Sequence, residues 1–169
     1  MRMITLALAA AGLTSLAAQA APPLMSTEWA QQACSYWNTN KQLTDELAEK
    51  WAKNDGGRGY KVIHMYRTDC GENTKVEMTI SAKDGKALCT YGGKIVHTSL
   101  NYDSDYLMHA ETKRWREMGA GEYGPMRAML FGRLKFDGPK GEAMRVMGPF
   151  EQFLLMPGKV PGDDSCPAK

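Results

Sequence analysis

The sequence has only three histidines, none in a His-Glu-x-x-His pair, and four cysteines, none in a Cys-x-x-Cys pair. A zincin helix, a zinc ribbon, a thiol redox motif and a haem attachment site therefore have no support. Gly-x-Ser-x-Gly and a glycine-rich phosphate loop are also missing, which removes the nucleophile elbow and the nucleotide cradle. A formal net charge of +2 over 169 residues gives no basic field for nucleic acid. After residue 20 no apolar run approaches the roughly 18 residues that a membrane span requires. With no catalytic motif, no cofactor fingerprint and scattered His64, His97 and His109, the chain is expected not to be an enzyme.

What is present begins with a leader. Arg2 supplies a charge, Ile4 to Ala18 run without one, and Ala18-Gln19-Ala20 matches a small-x-small cleavage site. Residues 1–20 thus read as a secretory signal peptide, best suited to export into a bacterial periplasm. Residues 21–162 have the length of one domain, and the proline-rich 163–169 reads as a flexible tail that a bridge at Cys166 would restrain.

All four cysteines (Cys34, Cys70, Cys89, Cys166) follow the leader, and an even number in an exported chain suggests two disulfides with three possible pairings. Asp84-Gly85 signals a tight hairpin. That turn sets Cys89 opposite Ile80 on an inward face, where a helix bearing Cys34 can meet it. Cys70 is then left to catch Cys166.

Periodicity outlines the rest. Trp29, Ala33 and Trp37, then Leu43, Leu47 and Trp51, recur every fourth residue, as in one long helix or two broken near Asn38–Asn40. Tyr60–Arg67 is rich in strand formers. Lys75–Ser81 alternates Val76, Met78 and Ile80 against Glu77 and Thr79, the mark of a strand with one wet face. Ala87–Thr90 and Ile95–Tyr102 read as further strands. Asp103 or Ser104 is placed to cap a helix carrying Leu107, Met108, Trp115 and Met118. Pro125 suits a first helical position, Arg133–Gly138 reads as a strand with Leu134 and Phe136 inward, and a last helix from Lys140 towards Leu155 must break at Gly148-Pro149. Helices around a mainly antiparallel sheet make an α+β domain.

The segments Thr98–Trp115 ("TSLNYDSDYLMHAETKRW") and Gly124–Phe150 ("GPMRAMLFGRLKFDGPKGEAMRVMGPF") resemble the sterol carrier protein 2 family. The matching features are Asp103–Asp105 after an extended run, Tyr106-Leu107, the turn ending Phe131-Gly132, the strand Arg133–Gly138, and Ala143-Met144 opening the last helix. The resemblance implies a five-stranded sheet covered by helices, an apolar tunnel, and a fatty-acyl, phospholipid or sterol- or hopanoid-like ligand carried without catalysis.

The methionines fit that expectation. Met126 and Met129, like Met144 and Met147, fall three apart on a helix face in a repeated Met-Arg-x-Met. Unbranched thioethers repack cheaply around varied guests. Burying ten methylenes at about 0.8 kcal/mol each supplies on the order of 8 kcal/mol before ordering costs. The expected tunnel lining is Met78, Met108, Trp115, Met118, Met126, Met129, Leu130, Phe131, Phe136, Met144, Met147, Phe150, Phe153, Leu154 and Met156. "KRWRE" at 113–117 could form a lid touching anionic headgroups, with Trp115 at the lipid interface; a solvated helix face is the plainer reading. Two rivals from other classes remain: Met-x-x-Met as a Cu(I) ligand pair, and a structural module with a dry core.

Overall fold

The computed structural model describes residues 20–168. A first helix, α1 (Thr27–Thr39), starts where the Ser26 hydroxyl accepts the Trp29 amide at 3.1 Å. It ends at Asn40, whose side-chain oxygen accepts the amides of Gln42 and Leu43 and starts the single turn α2 (Lys41–Thr44). The helical stretch is therefore broken, as one of the two expectations had it.

Five strands follow: β1 (Lys61–Arg67), β2 (Val76–Lys83), β3 (Lys86–Lys94), β4 (Tyr106–Ala110) and β5 (Lys135–Asp137). Their order is β3-β2-β1-β4-β5, antiparallel except where β1 lies parallel to β4. Asp84 and Gly85, both at positive φ, turn β2 into β3, and Ile80 sits opposite Cys89. Helices α3 (Thr112–Gly119), α4 (Pro125–Leu130), α5 (Lys140–Arg145) and α6 (Met147–Lys159) complete the domain. The α+β class and the mainly antiparallel five-stranded sheet are as expected.

Cys34 is bonded to Cys89 and Cys70 to Cys166. The first bridge clamps α1 onto β3, where Gly92 comes so close that a Cβ there would lie 2.3 Å from the Ala30 carbonyl oxygen. The second ties the tail. Residues expected to be flexible are further held by the Leu24 amide on the Asp163 carbonyl and by the Arg67 guanidinium on the Ser165 carbonyl. Residues 1–19 of the proposed signal peptide lie outside those described.

Four local expectations fail for physical reasons. Ile95–Tyr102 is not a strand; β3 ends at Lys94, and the backbone amides of Val96 and His97 donate to the Glu77 carboxylate. The supposedly wet face of β2 is covered for the same reason, so that Glu77 and Thr79 are buried. Tyr106–Ala110 is a strand, with Tyr106, Met108 and Ala110 turned inward, and the helix begins only at Thr112. Neither Asp103 nor Ser104 caps it, because Glu111 holds the N-cap position, and the neighbouring Asp105 has another task. Its carboxylate accepts the amides of Val62 and Asn101 and pairs with Arg58, pinning the loop that precedes β4. Finally, the break in the last helix comes at Val146, two residues before Gly148-Pro149.

Candidate functional site

β5 is only three residues long, yet it separates two spaces. On the helix-covered side lies an apolar cavity walled by Trp37, Leu47 and Trp51, by Ile63, Tyr106, Met108 and Phe136 from the sheet, and by Ala143, Val146, Pro149, Phe150 and Phe153. Its free volume is about 40 Å³, room for a few waters and far below the range of ligand pockets. Around the other side of β5 runs an open groove of about 610 Å³, lined by Met126, Met129, Leu130, Leu134 and Met144 with His109, Lys135, Asp137 and Lys140.

Phe136 belongs to both walls. Its ring centroid lies 5.3 Å from that of Tyr106 and 5.6 Å from that of Phe150. Helix α5 is the other shared element: Ala143 faces the cavity and Met144 the groove. This helix has six residues, is preceded by Gly138 at φ +136° and ends at non-helical Val146. Too short for a stable helix in isolation, it depends on its neighbours. The continuous tunnel expected from the resemblance is not seen among the described residues; Phe136 and α5 contribute to both the cavity and the groove and lie between them.

Behind the aromatic wall of the cavity sits a buried polar group. Lys61 opens β1 on the face shared with Ile63 and Met65, and its side chain is fully buried. The ammonium donates to Glu142 Oε2 at 2.7 Å and lies 4.4 Å from the Trp51 ring centroid and 5.2 Å from that of Tyr106. The Tyr106 hydroxyl also donates to Glu142 and accepts from the Trp51 indole at 3.0 Å. Burial pushes the Lys61 pKa down against the pull of Glu142, and burial followed by Glu142 pushes the Tyr106 phenol up.

A second buried carboxylate lies on the opposite face of the sheet. Glu77 accepts from the amides of Val96 and His97, from Thr79 Oγ1 at 3.1 Å, and pairs with His97 Nδ1 at 2.6 Å and His64 Nε2 at 3.1 Å. Burial alone would raise its pKa, but the His64 contact and the donors from His97 and Val96 win and hold it at about 2. His109 lines the groove, stacks on Tyr66 at 4.6 Å and leaves Nδ1 without a partner; burial lowers its pKa.

The expected lining is thus divided. Met108, Phe136, Phe150 and Phe153 meet at the cavity, and Met126, Met129, Leu130 and Met144 join Phe136 at the groove. Phe131 is 70% exposed and lines a separate hollow with Glu111, Arg114 and Arg133, not the groove. Met147 faces a separate polar hollow beside Glu46 and Arg145. Met78, Trp115, Met118, Leu154 and Met156 are ordinary buried core and line neither space. The lid reading of residues 113–117 fails: Trp115 is 1% exposed and donates to the Tyr66 carbonyl, Arg114 pairs with Glu117, and Arg116 holds Asp164, Pro157 and Gly162.

Lys61, Glu142, Trp51 and Tyr106 were not foreseen. Lys61 had a readable signal, since period-two alternation puts it on the same face as Ile63 and Met65. Among the described residues no three His, Cys, Asp or Glu side chains converge as a metal site.

The model of the SCP-2 sterol transfer family matches residues 40–151. Among solved structures, a crystal structure of sterol carrier protein 2 aligns with TM-score 0.51 at 17% identity, covering 81% of this chain and 98% of that one. The solution structure of the sterol carrier protein domain 2 of Helicoverpa armigera is 18% identical over 82% of this chain and 95% of that one, with TM-score 0.41. The apo form of sterol carrier protein 2 from Yarrowia lipolytica gives TM-score 0.38 and 14% identity over 76% and 88% of the two chains. No curated protein sequence matches the chain.

Proposed function

Because the chain belongs to the SCP-2 sterol transfer family, we propose that it is an exported, non-catalytic lipid carrier. Its ligand, a fatty-acyl, phospholipid or sterol- or hopanoid-like molecule, would occupy the cavity and the groove as one space once Phe136 and α5 move apart. The observation that carries this reading is the double membership of Phe136, whose one ring closes the cavity and floors the groove. The groove alone falls within the volume range of ligand pockets, and its methionines can reshape around a guest without loss of packing.

The same end of the molecule supports a transient membrane contact. Leu130 and Phe131 are 73% and 70% exposed beside exposed Arg127, Lys135 and Lys140. Exposed apolar side chains with three cations nearby against Asp137 and Glu111 suit an anionic lipid surface. Two disulfides agree with an oxidising, extracytoplasmic compartment.

Native mass spectrometry of freshly purified protein tests the proposal. A lipid-sized adduct that disappears on solvent extraction is the expected result. A bare protein that also takes up no added lipid counts against it, and a Cu(I) adduct lost on replacing Met126 and Met129 together would favour the soft-metal alternative.

A further inference from the structure

The Lys61–Glu142 pair lies at the junction of the cavity wall and the proposed partition of Phe136 and α5, and its placement bears on what the cavity accepts. Lys61 is carried by the central strand of the sheet, whereas Glu142 is carried by α5. Neither is exposed beyond 4%. If α5 moves away to join cavity and groove, it takes with it the carboxylate that neutralises Lys61. The ammonium would then remain in a pocket of tryptophan, tyrosine and phenylalanine. An uncompensated charge in such surroundings is strongly unfavourable, and cation–π contact with Trp51 and Tyr106 offsets only a small part of that cost.

A neutral lipid would therefore open the partition at the expense of a stranded cation. A lipid bearing a carboxylate would not, because its own headgroup can take the place that Glu142 vacates. The donors are already assembled there: the Lys61 ammonium, and the Tyr106 hydroxyl, itself held by the Trp51 indole. Glu142 occupies this site as a side-chain carboxylate tethered to the partition, chemically the same group as the head of a fatty acid.

The geometry points to Lys61 as the charge anchor of the ligand, to Glu142 as its internal stand-in, and to a long-chain carboxylic acid as the ligand class. This inference rests on the lipid-carrier reading. The acid binds head inward, with its carboxylate on Lys61 and Tyr106 and its chain passing Phe136 into the methionine groove. Binding exchanges one carboxylate for another, so the partition opens without leaving a charge unpaired.

The test compares hexadecanoic acid with its methyl ester on delipidated protein by titration calorimetry. The wild type is expected to bind the acid at least ~30-fold more tightly than the ester. The double variant Lys61→Met/Glu142→Leu replaces the pair by apolar groups, an exchange that buried ion pairs commonly tolerate, and is expected to lose that preference. The single variant Glu142→Gln removes the competing carboxylate and keeps its shape. It should bind the acid more than ~10-fold more tightly than the wild type and leave the ester within about twofold.

Equal affinity of the wild type for acid and ester, with both bound, overturns the anchor and leaves the carrier reading standing. An acid preference that survives in a folded double variant, or fails to rise in Glu142→Gln, also overturns it. If the wild type binds neither compound, the anchor falls together with the fatty-acyl form of the carrier reading, and the native mass spectrum decides for phospholipid and sterol-like ligands.

Discussion

At the β3 edge of the sheet, nine residues continue the ladder, α1 is clamped on by a disulfide, and the Asn38 side chain pairs with both the amide and the carbonyl of Cys89. At the β5 edge, three residues pair with β4, and the elements beside them are two helices of six residues each with no cross-link between them. One edge is finished with covalent and backbone-level contacts. The other holds both cavities, the exposed Leu130 and Phe131, and a partition secured by a buried ion pair. A carrier needs a wall that opens and a frame that does not follow it, and local stability can differ between parts of one domain in this way.

The largest effect is expected at the Lys61–Glu142 pair. Glu142→Leu alone, which strands Lys61, should lower the unfolding free energy by about 3–5 kcal/mol, while Lys61→Met/Glu142→Leu should restore most of it. Urea unfolding of the two variants decides this; equal losses would mean that the pair does not hold α5.

Next in size is the Glu77 clasp on the frame. A carboxylate held at about 2 when folded and near the ordinary glutamate value of about 4.3 when unfolded stabilises the protein above the latter. That contribution, about 3 kcal/mol, is lost as the pH falls through the window between those values. Unfolding free energies measured against pH should show the extra acid dependence in the wild type and lack it in Glu77→Gln.

Cleaving the Cys34–Cys89 bridge by Cys34→Ala/Cys89→Ala should cost ~2–4 kcal/mol and leave lipid affinity within about twofold, because the bridge lies on the edge remote from the proposed opening. A tenfold loss of affinity would show that the two edges are coupled. The last pair of variants is read in lipid retention and not in stability, since Met129 and Met147 both pack partly against the core. Met129→Asp should abolish lipid retention in native mass spectra, whereas Met147→Asp, whose side chain faces a polar hollow, should retain lipid as the wild type does.

Much of the rigid frame was legible in the residues. The Asp84-Gly85 turn sets the register that brings Cys89 opposite Ile80, so both bridges could be anticipated from local chemistry. The misreadings share one cause: a tertiary partner overrode a local pattern. Glu77 looked solvent-facing because nothing nearby in sequence announces that His97, twenty residues on, will cover it. Tyr106–Ala110 continues smoothly into a helical segment, and only parallel pairing with β1 makes it a strand. Trp115, an interfacial anchor only in the less plain of the two readings of residues 113–117, is buried with its indole on the Tyr66 carbonyl.

The site was half legible. Three-residue spacing brought Met126 and Met129 to one face, and Met144 meets them across the groove. Spacing could not separate Met147 from Met144 or show that Phe136 divides two spaces, since both depend on where α5 stops and α6 starts. Lys61 could have been noticed as a charge on an apolar face, but its partner lies 81 residues away.

The most direct measurement of the central claim is a crystal structure with an ω-bromo fatty acid, located by the anomalous signal of bromine. Phe136 and α5 should be displaced, with the carboxylate at Lys61 and the bromine in the groove among Met126, Met129 and Met144. Bromine bound on another surface, with Phe136 still seated against Tyr106 and Phe150 and the inner cavity closed, would contradict that claim.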